Sequence, residues 1–202
     1  PCRSLQFAHD QTSPGGEIDV LDSAGYGSIV INKAITIINE GGVAGVLASV
    51  GGDAVTINAG ATDAVVLRGL TVEGSKVGAN GIVFNSAGAL TIANCLVQGF
   101  VGTGTAGNGI RIVHTSGAPG ITISDTTASY NQSIGIVYSP SGTAGGLLSI
   151  SGVTASHNGY GMSIYVRDAT GNTFANIVRS KVLNNDDFGL QVVAKGNVQS
   201  RA

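Results

Sequence analysis

The sequence predicts an all-β fold in which a single chain winds into a parallel β-helix, a solenoid of stacked rungs, and three observations predict it. A glycine followed by an apolar, variable, apolar triplet occurs five times, in "NGIVF" at 80–84, "NGIRI" at 108–112, "IGIVY" at 134–138, "YGMSI" at 160–164 and "FGLQV" at 188–192, at intervals of 28, 26, 26 and 28 residues. A second triplet precedes each, "ITI" at 35–37, "VVL" at 65–67, "LTI" at 90–92, "ITI" at 121–123 and "LSI" at 148–150, recurring every 25 to 31 residues. Only 11% of residues are charged and 32 are glycine, against roughly 25% and 7% in an ordinary soluble domain, while the apolar content is mainly Val, Ile, Leu and Ala. Short strands separated by glycine and asparagine, repeated at a fixed period, mean that each turn of chain is one rung.

The elements follow in order. In "CRSLQFAHDQ" at 2–11, Leu5, Ala8 and His9 stand at helical spacing, and "SPGG" at 13–16 stops the helix before a strand "EIDVL" at 17–21. A short amphipathic helix there plugs the open apolar end of the coil, as a terminal repeat must. The chain is read as one domain, with a cap over 1–16 and rungs over 17–202.

Strand alternation assigns the side chains: Ile121 and Ile123 fill the interior while Thr122 faces solvent. Ile82, Ile110, Ile136, Met162 and Leu190 form one interior column, and Phe84, Ile112, Tyr138, Ile164 and Val192 its neighbour. The glycine before each triplet is expected to let the backbone turn tightly. A less regular third stretch, such as "NCLVQGF", "DTTASYN" or "GVTASHN", completes each unit. Asn80, Asn108, Asn131, Asn158 and Asp186 are expected in the turns, where Asn tolerates left-handed backbone and stacked amides bond from rung to rung. In the last unit, alternation does not decide whether Ile177 or Val178 points inward. The C-terminal "VVAKGNVQSRA" has no plug, so further chain or self-association through the uncapped last rung is expected to cover it.

A net charge of −2, with ten scattered Lys and Arg, gives no electrostatic footprint for nucleic acid. No apolar run reaches the roughly 18 residues of a membrane-spanning helix. Pro1 is an unusual first residue, and an upstream segment is expected to have been removed. Cys2 and Cys95 make neither a disulfide framework nor a metal site. Cys95 falls where an inward apolar side chain belongs, and Cys2 would find any partner upstream, which suits an exported protein.

The run "SLQFAHDQTSPGGEIDVLDSAGYGSIVINKAITIINEGG" at 4–42 resembles the opening of right-handed parallel β-helix proteins of the pectin lyase-like superfamily, and the later "NGI" and "LTI" units resemble their rungs. The resemblance implies a right-handed coil of about six rungs. It leaves function open, since that superfamily includes polysaccharide lyases, hydrolases, esterases, epimerases, tailspikes, adhesins and many bacterial exported proteins of no known activity. The chain looks most like the last group.

Polygalacturonase-type hydrolysis needs carboxylates flanking the scissile bond, and of that family's pattern only Asp186-Asp187 is present. Calcium-assisted pectate lyases need converging carboxylates and an arginine base; Asp63, Asp125 and Asp168 fall in different turns. Arg111 faces outward in "GIRIV", and "YVRDATGN" sets Arg167 and Asp168 just beyond the strand two rungs later, where they either share a groove with His114 or, the preferred reading, stand as ordinary surface polar groups. His157 reads as a turn filler in the place Tyr130 holds one rung earlier. Exposed Tyr130, Tyr160 and Tyr165 suit stacking on sugar rings. An outward column of Thr36, Thr91 and Thr122, interrupted by Val66 and ended by Ser149, is the weaker case for an ice-binding face.

The expectation is an exported or cell-surface β-helix module, secreted, periplasmic or surface-bound, that binds polysaccharide or cell-surface glycan or acts as a rigid scaffold and does no catalysis. Its candidate substrate-binding residues are Arg111, Tyr165, Arg167 and Asp168, with no metal site and no cofactor. The alternative is an enzyme acting on acidic polysaccharide, lyase or hydrolase, which alone would call for calcium; a second is an ice-binding or adhesin-like surface protein.

Overall fold

A computed structural model describes residues 2–102 and 104–195; Pro1, Thr103 and the C-terminal "GNVQSRA" lie outside the described residues. Among the described residues, helix α1 (Leu5–Gln11) leads into twenty-one strands, three to a rung. The first rung holds β1 (Gly16–Val20), β2 (Ala24–Gly25) and β3 (Ile29–Ile31), and the second β4 (Ile35–Asn39), β5 (Ala44–Leu47) and β6 (Val55–Asn58). The third holds β7 (Ala64–Arg68), β8 (Leu70–Glu73) and β9 (Asn80–Ser86), and the fourth β10 (Ala89–Ala93), β11 (Leu96–Gln98) and β12 (Asn108–Ile112). The fifth holds β13 (Gly120–Ser124), β14 (Thr127–Ser129) and β15 (Ile134–Tyr138), and the sixth β16 (Gly146–Ser151), β17 (Thr154–Ser156) and β18 (Tyr160–Tyr165). The last described rung holds β19 (Thr173–Val178), β20 (Lys181–Leu183) and β21 (Leu190–Val193).

Corresponding strands pair in parallel into three seven-stranded sheets: A from the first strand of each rung, B from the second and C from the third. From β1 to β19 the chain makes about six turns, so the fold is an all-parallel three-sheet β-solenoid with one short N-terminal helix. No helix among the described residues is long and apolar enough to cross a membrane.

The interior columns form because alternation puts every second residue inside and parallel register stacks like on like. Ile37, Leu67, Ile92, Ile123 and Ile150 are in register on sheet A and wholly buried. Ile177 extends that column opposite Ile150, whereas Val178 pairs with Ser151, which decides between the two. On sheet C the two expected columns also reach back into rungs that lack the glycine signature: Ile29 and Val55 precede Ile82, and Ile31 and Ile57 precede Phe84. Each fully buried Ile, Leu or Phe contributes roughly 1.5–3 kcal/mol.

Helix α1 caps the first rung. Ser4 accepts a hydrogen bond from the Phe7 N–H at 3.2 Å as N-cap, and Leu5 and His9 turn onto the core, 2% and 1% exposed. Gln6 does what a further strand would do, because its side-chain oxygen accepts the Val30 N–H at 2.7 Å and so satisfies part of the edge of β3.

The recurring glycine has a different cause from the one expected. Gly81, Gly109, Gly135 and Gly161 have no positive φ; what they lack is room. A Cβ on Gly135 would lie 2.7 Å from the Gly161 carbonyl oxygen and 2.7 Å from the Asn158 amide nitrogen, and one on Gly109 would meet Gly135 and Asn131 in the same way.

The asparagines are likewise corrected. Left-handed backbone belongs to the residue before each, Tyr130, His157 and Asn184, while Asn131 and Asn158 themselves turn inward and are 1% exposed. The third member of this ladder is Asn185 and not Asp186: Asn158 donates to the Asn185 side-chain oxygen at 3.1 Å, and Asp186 is exposed. In the last three described rungs the third stretch is therefore as regular as the others. A left-handed residue, a short link, a three-residue strand, a second left-handed residue and the ladder position recur over 125–131, 152–158 and 179–185.

Candidate functional site

The expected binding residues lie on or beside the outer face of sheet C. Arg111 stands between Val83 and Val137 in register, and the row continues through Ser163 to Gln191. Val83 and Val137 point away from the core yet are only 3% and 8% exposed. Ser163 donates to the Gln191 side-chain oxygen at 3.2 Å.

Tyr165 follows Ser163 by two residues, which puts its Cα about 12 Å from that of Arg111, two rungs along the coil and two residues along the strand. Beyond the end of β18, Arg167 sets its guanidinium carbon 5.7 Å from the centre of the Tyr165 ring, and its Nε lies 3.7 Å from an Asp168 oxygen. These two side chains are 61% and 59% exposed, so the ion pair is solvent-screened and each partner is free to engage a ligand. The backbone carbonyl of Asp168 accepts the Gly142 N–H at 3.1 Å and fixes the turn that carries both.

His114 does not join them. It continues the inward alternation of Ile110 and Ile112, is 2% exposed, and packs edge-on to Phe84 with ring centres 5.8 Å apart. Its Nε2 lies 2.8 Å from the Gly145 carbonyl, which also accepts the Tyr138 hydroxyl at 3.3 Å. A carbonyl only accepts, so Nε2 carries the proton.

The three tyrosines expected to stack on sugars fall in different places. Tyr165 is on the sheet C face, and Tyr160 is half-buried at its edge against Phe188, ring centres 5.6 Å apart. Tyr130 lies at the corner between sheets B and C, stacked on His157 at 4.8 Å and 16°. It walls a hollow of about 460 Å³ with Glu73, Ser75, Lys76, Gln98 and Gly99. Sequence reasoning missed Glu73 and Gln98; the available signal was the glycine at 99 in a corner position that carries Tyr130 and His157 on the next two rungs.

The carboxylates stay apart. Asp63 accepts the Gly60 N–H at 2.8 Å in one turn, Asp125 holds a left-handed corner of another, and Asp186 and Asp187 are exposed in a third. Among the described residues no group of three or more His, Cys, Asp or Glu is placed to hold a metal ion. The set of Arg111, Tyr165, Arg167 and Asp168 supplies one carboxylate where glycosidic hydrolysis takes two. It can pair with anions, stack on ring faces and hydrogen-bond to hydroxyls.

In comparison with known proteins, no family model matches the chain, and neither does any curated protein or solved structure.

Proposed function

We propose that the protein is an exported or cell-surface β-helix module that binds carbohydrate and does not cleave it. The observation that carries this reading is the arrangement along β12 and β18: half-buried Arg111 on the outer face of sheet C, half-buried Tyr165 two rungs away, and Arg167 and Asp168 exposed just beyond it. Guanidinium groups suit acidic sugars, and the partly exposed Tyr165 ring suits the apolar face of a pyranose. The low charge and the resemblance to right-handed β-helices of the pectin lyase-like superfamily support export and a glycan partner. On the last described rung the inward Leu190 and Val192 are 49% and 46% exposed, an apolar face that further chain or a second copy would cover.

The test is incubation of the purified protein with plant and bacterial polysaccharides, with and without calcium, followed by mass spectrometry of the soluble fraction and by glycan-binding measurements. Binding without release of oligosaccharides is expected, weakened by Arg111→Ala and Tyr165→Ala. Release of unsaturated oligosaccharides would replace this reading with a lyase.

A further inference from the structure

The hollow beside Tyr130 is built by a gap in a column. The corner residues that follow the sheet B strands are Gly99, Tyr130, His157 and Asn184, all with positive φ, and register across β11, β14, β17 and β20 sets them one rung apart. Tyr130 covers one ring face with His157, 4.8 Å away and nearly parallel. Its other face looks towards the preceding rung, where Gly99 offers no side chain, and Tyr130 is 62% exposed. Beneath Gly99 lies the Ser75–Lys76 turn, whose Lys76 N–H donates to the Gly99 carbonyl at 2.8 Å. The hollow of about 460 Å³ lies against this exposed ring.

The gap is enforced. A Cβ at Gly99 would collide with the Glu73 carboxylate, and that carboxylate is itself pinned, accepting the Ser75 N–H at 2.8 Å and the Gln98 side-chain N–H at 2.8 Å. Because Gln98 spends its amide nitrogen on Glu73, its carbonyl oxygen is left as an acceptor. The slot thus has an aromatic wall, a fixed carboxylate, an amide oxygen and, at its rim, the exposed ammonium of Lys76, which has no carboxylate within 4.0 Å among the described residues.

We infer that this slot is a second carbohydrate subsite, on the opposite side of the B–C corner from Arg111, which takes one pyranose residue of an oligosaccharide. The C–H face of the sugar stacks on Tyr130, adjacent hydroxyls donate to Glu73 and Gln98, and Lys76 donates to a sugar oxygen. The inference rests on the glycan-binding reading above but names different residues, so the two fail separately.

The experiment is saturation-transfer NMR and calorimetry with cello-, xylo-, manno- and galacturono-oligosaccharides on the parent chain and on Tyr130→Asn, Tyr130→Phe, Gln98→Ala and Tyr165→Ala. Asn tolerates the left-handed backbone that Tyr130 adopts, so Tyr130→Asn removes the ring without straining the corner. Loss of the stacking contact weakens binding by about two- to tenfold in Tyr130→Asn; Gln98→Ala also weakens it, and Tyr130→Phe holds it. Binding that is insensitive to Tyr130→Asn and Gln98→Ala but lost in Tyr165→Ala overturns the slot and leaves the sheet C face standing. Absence of binding to every oligosaccharide overturns both.

Discussion

The side-chain oxygen of Asn158 accepts two hydrogen bonds from Asn131 one rung earlier, from its backbone N–H and from its amide, both at 3.0 Å. Asn158 passes the pattern on, donating to the Ala128 carbonyl at 3.0 Å and to Asn185 at 3.1 Å. One side chain thus satisfies polar groups on the rung before and the rung after its own.

Removing it leaves several buried donors and acceptors without partners. Asn158→Ala is expected to destabilise the fold by about 2–5 kcal/mol. Asn158→Asp should be comparably damaging, since a carboxylate cannot donate to Ala128 or Asn185. Urea denaturation of the two variants checks this, and wild-type midpoints for both would refute the ladder's role.

The glycine column makes the complementary prediction. Gly135→Ala forces a methyl between the Gly161 carbonyl and the Asn158 amide, and overpacking of this kind costs about 1–3 kcal/mol. Gly120→Ala, where a Cβ meets nothing within 4 Å, should leave the melting temperature near that of the parent. Thermal unfolding of the pair separates crowding from any general intolerance of alanine.

How much of this was legible in the sequence depended on whether alternation alone decided the outcome. The sheet C columns from Ile82 to Val192 were readable because a period of two admits one assignment once the glycine anchors it. Val55 and Ile57 in the second rung were missed because no glycine precedes them, although they fill the same columns. His114 is legible in principle as the next inward position after Ile110 and Ile112, but a titratable residue near Arg111 invites an outward, polar reading. Asn185 could not be chosen from "NNDD" by spacing, because a shift of one residue leaves the composition of the turn unchanged and reverses which side chain enters the core. Of the candidate site, Arg111, Tyr165, Arg167 and Asp168 were visible as outward residues. The Tyr130 slot was not, since it depends on which corner residues stack.

The two cysteines should differ in reactivity. Cys95 is 4% exposed and burial pushes its thiol up to about 11, whereas Cys2 is exposed. A thiol reagent at neutral pH is expected to modify one cysteine in the native protein and both in denaturant. Two rapid equivalents without denaturant would show the core to be open.

The same burial predicts an alkaline limit. The folded Cys95 thiol ionises near pH 11 against 9.0 for an unperturbed thiol, so the stability from keeping it neutral is intact below about pH 9 and is lost as pH rises through 11, on the order of 2–3 kcal/mol in all. Burial raises the Tyr138 hydroxyl as well, which acts in the same direction above pH 10. Cys95→Ala should flatten the Cys95 part of this decline in a series of denaturation curves from pH 8 to 11.

His114 should prove structural. His114→Ala empties a site packed against Phe84 and Tyr138 and leaves the Gly145 carbonyl with the Tyr138 hydroxyl as its side-chain donor, and a loss of about 2–4 kcal/mol is expected from the cavity and the broken bond together. Glycan affinity of the folded variant should match that of the parent.

The columns running along the coil divide the chain into two kinds of position. A residue in the glycine, asparagine or apolar columns answers to the rung before and the rung after, so no change there is private. A residue at an outward corner, such as Tyr130 or Arg167, answers to far fewer neighbours. Such a chain can revise what it recognises at the corners, one residue at a time, without renegotiating how it folds.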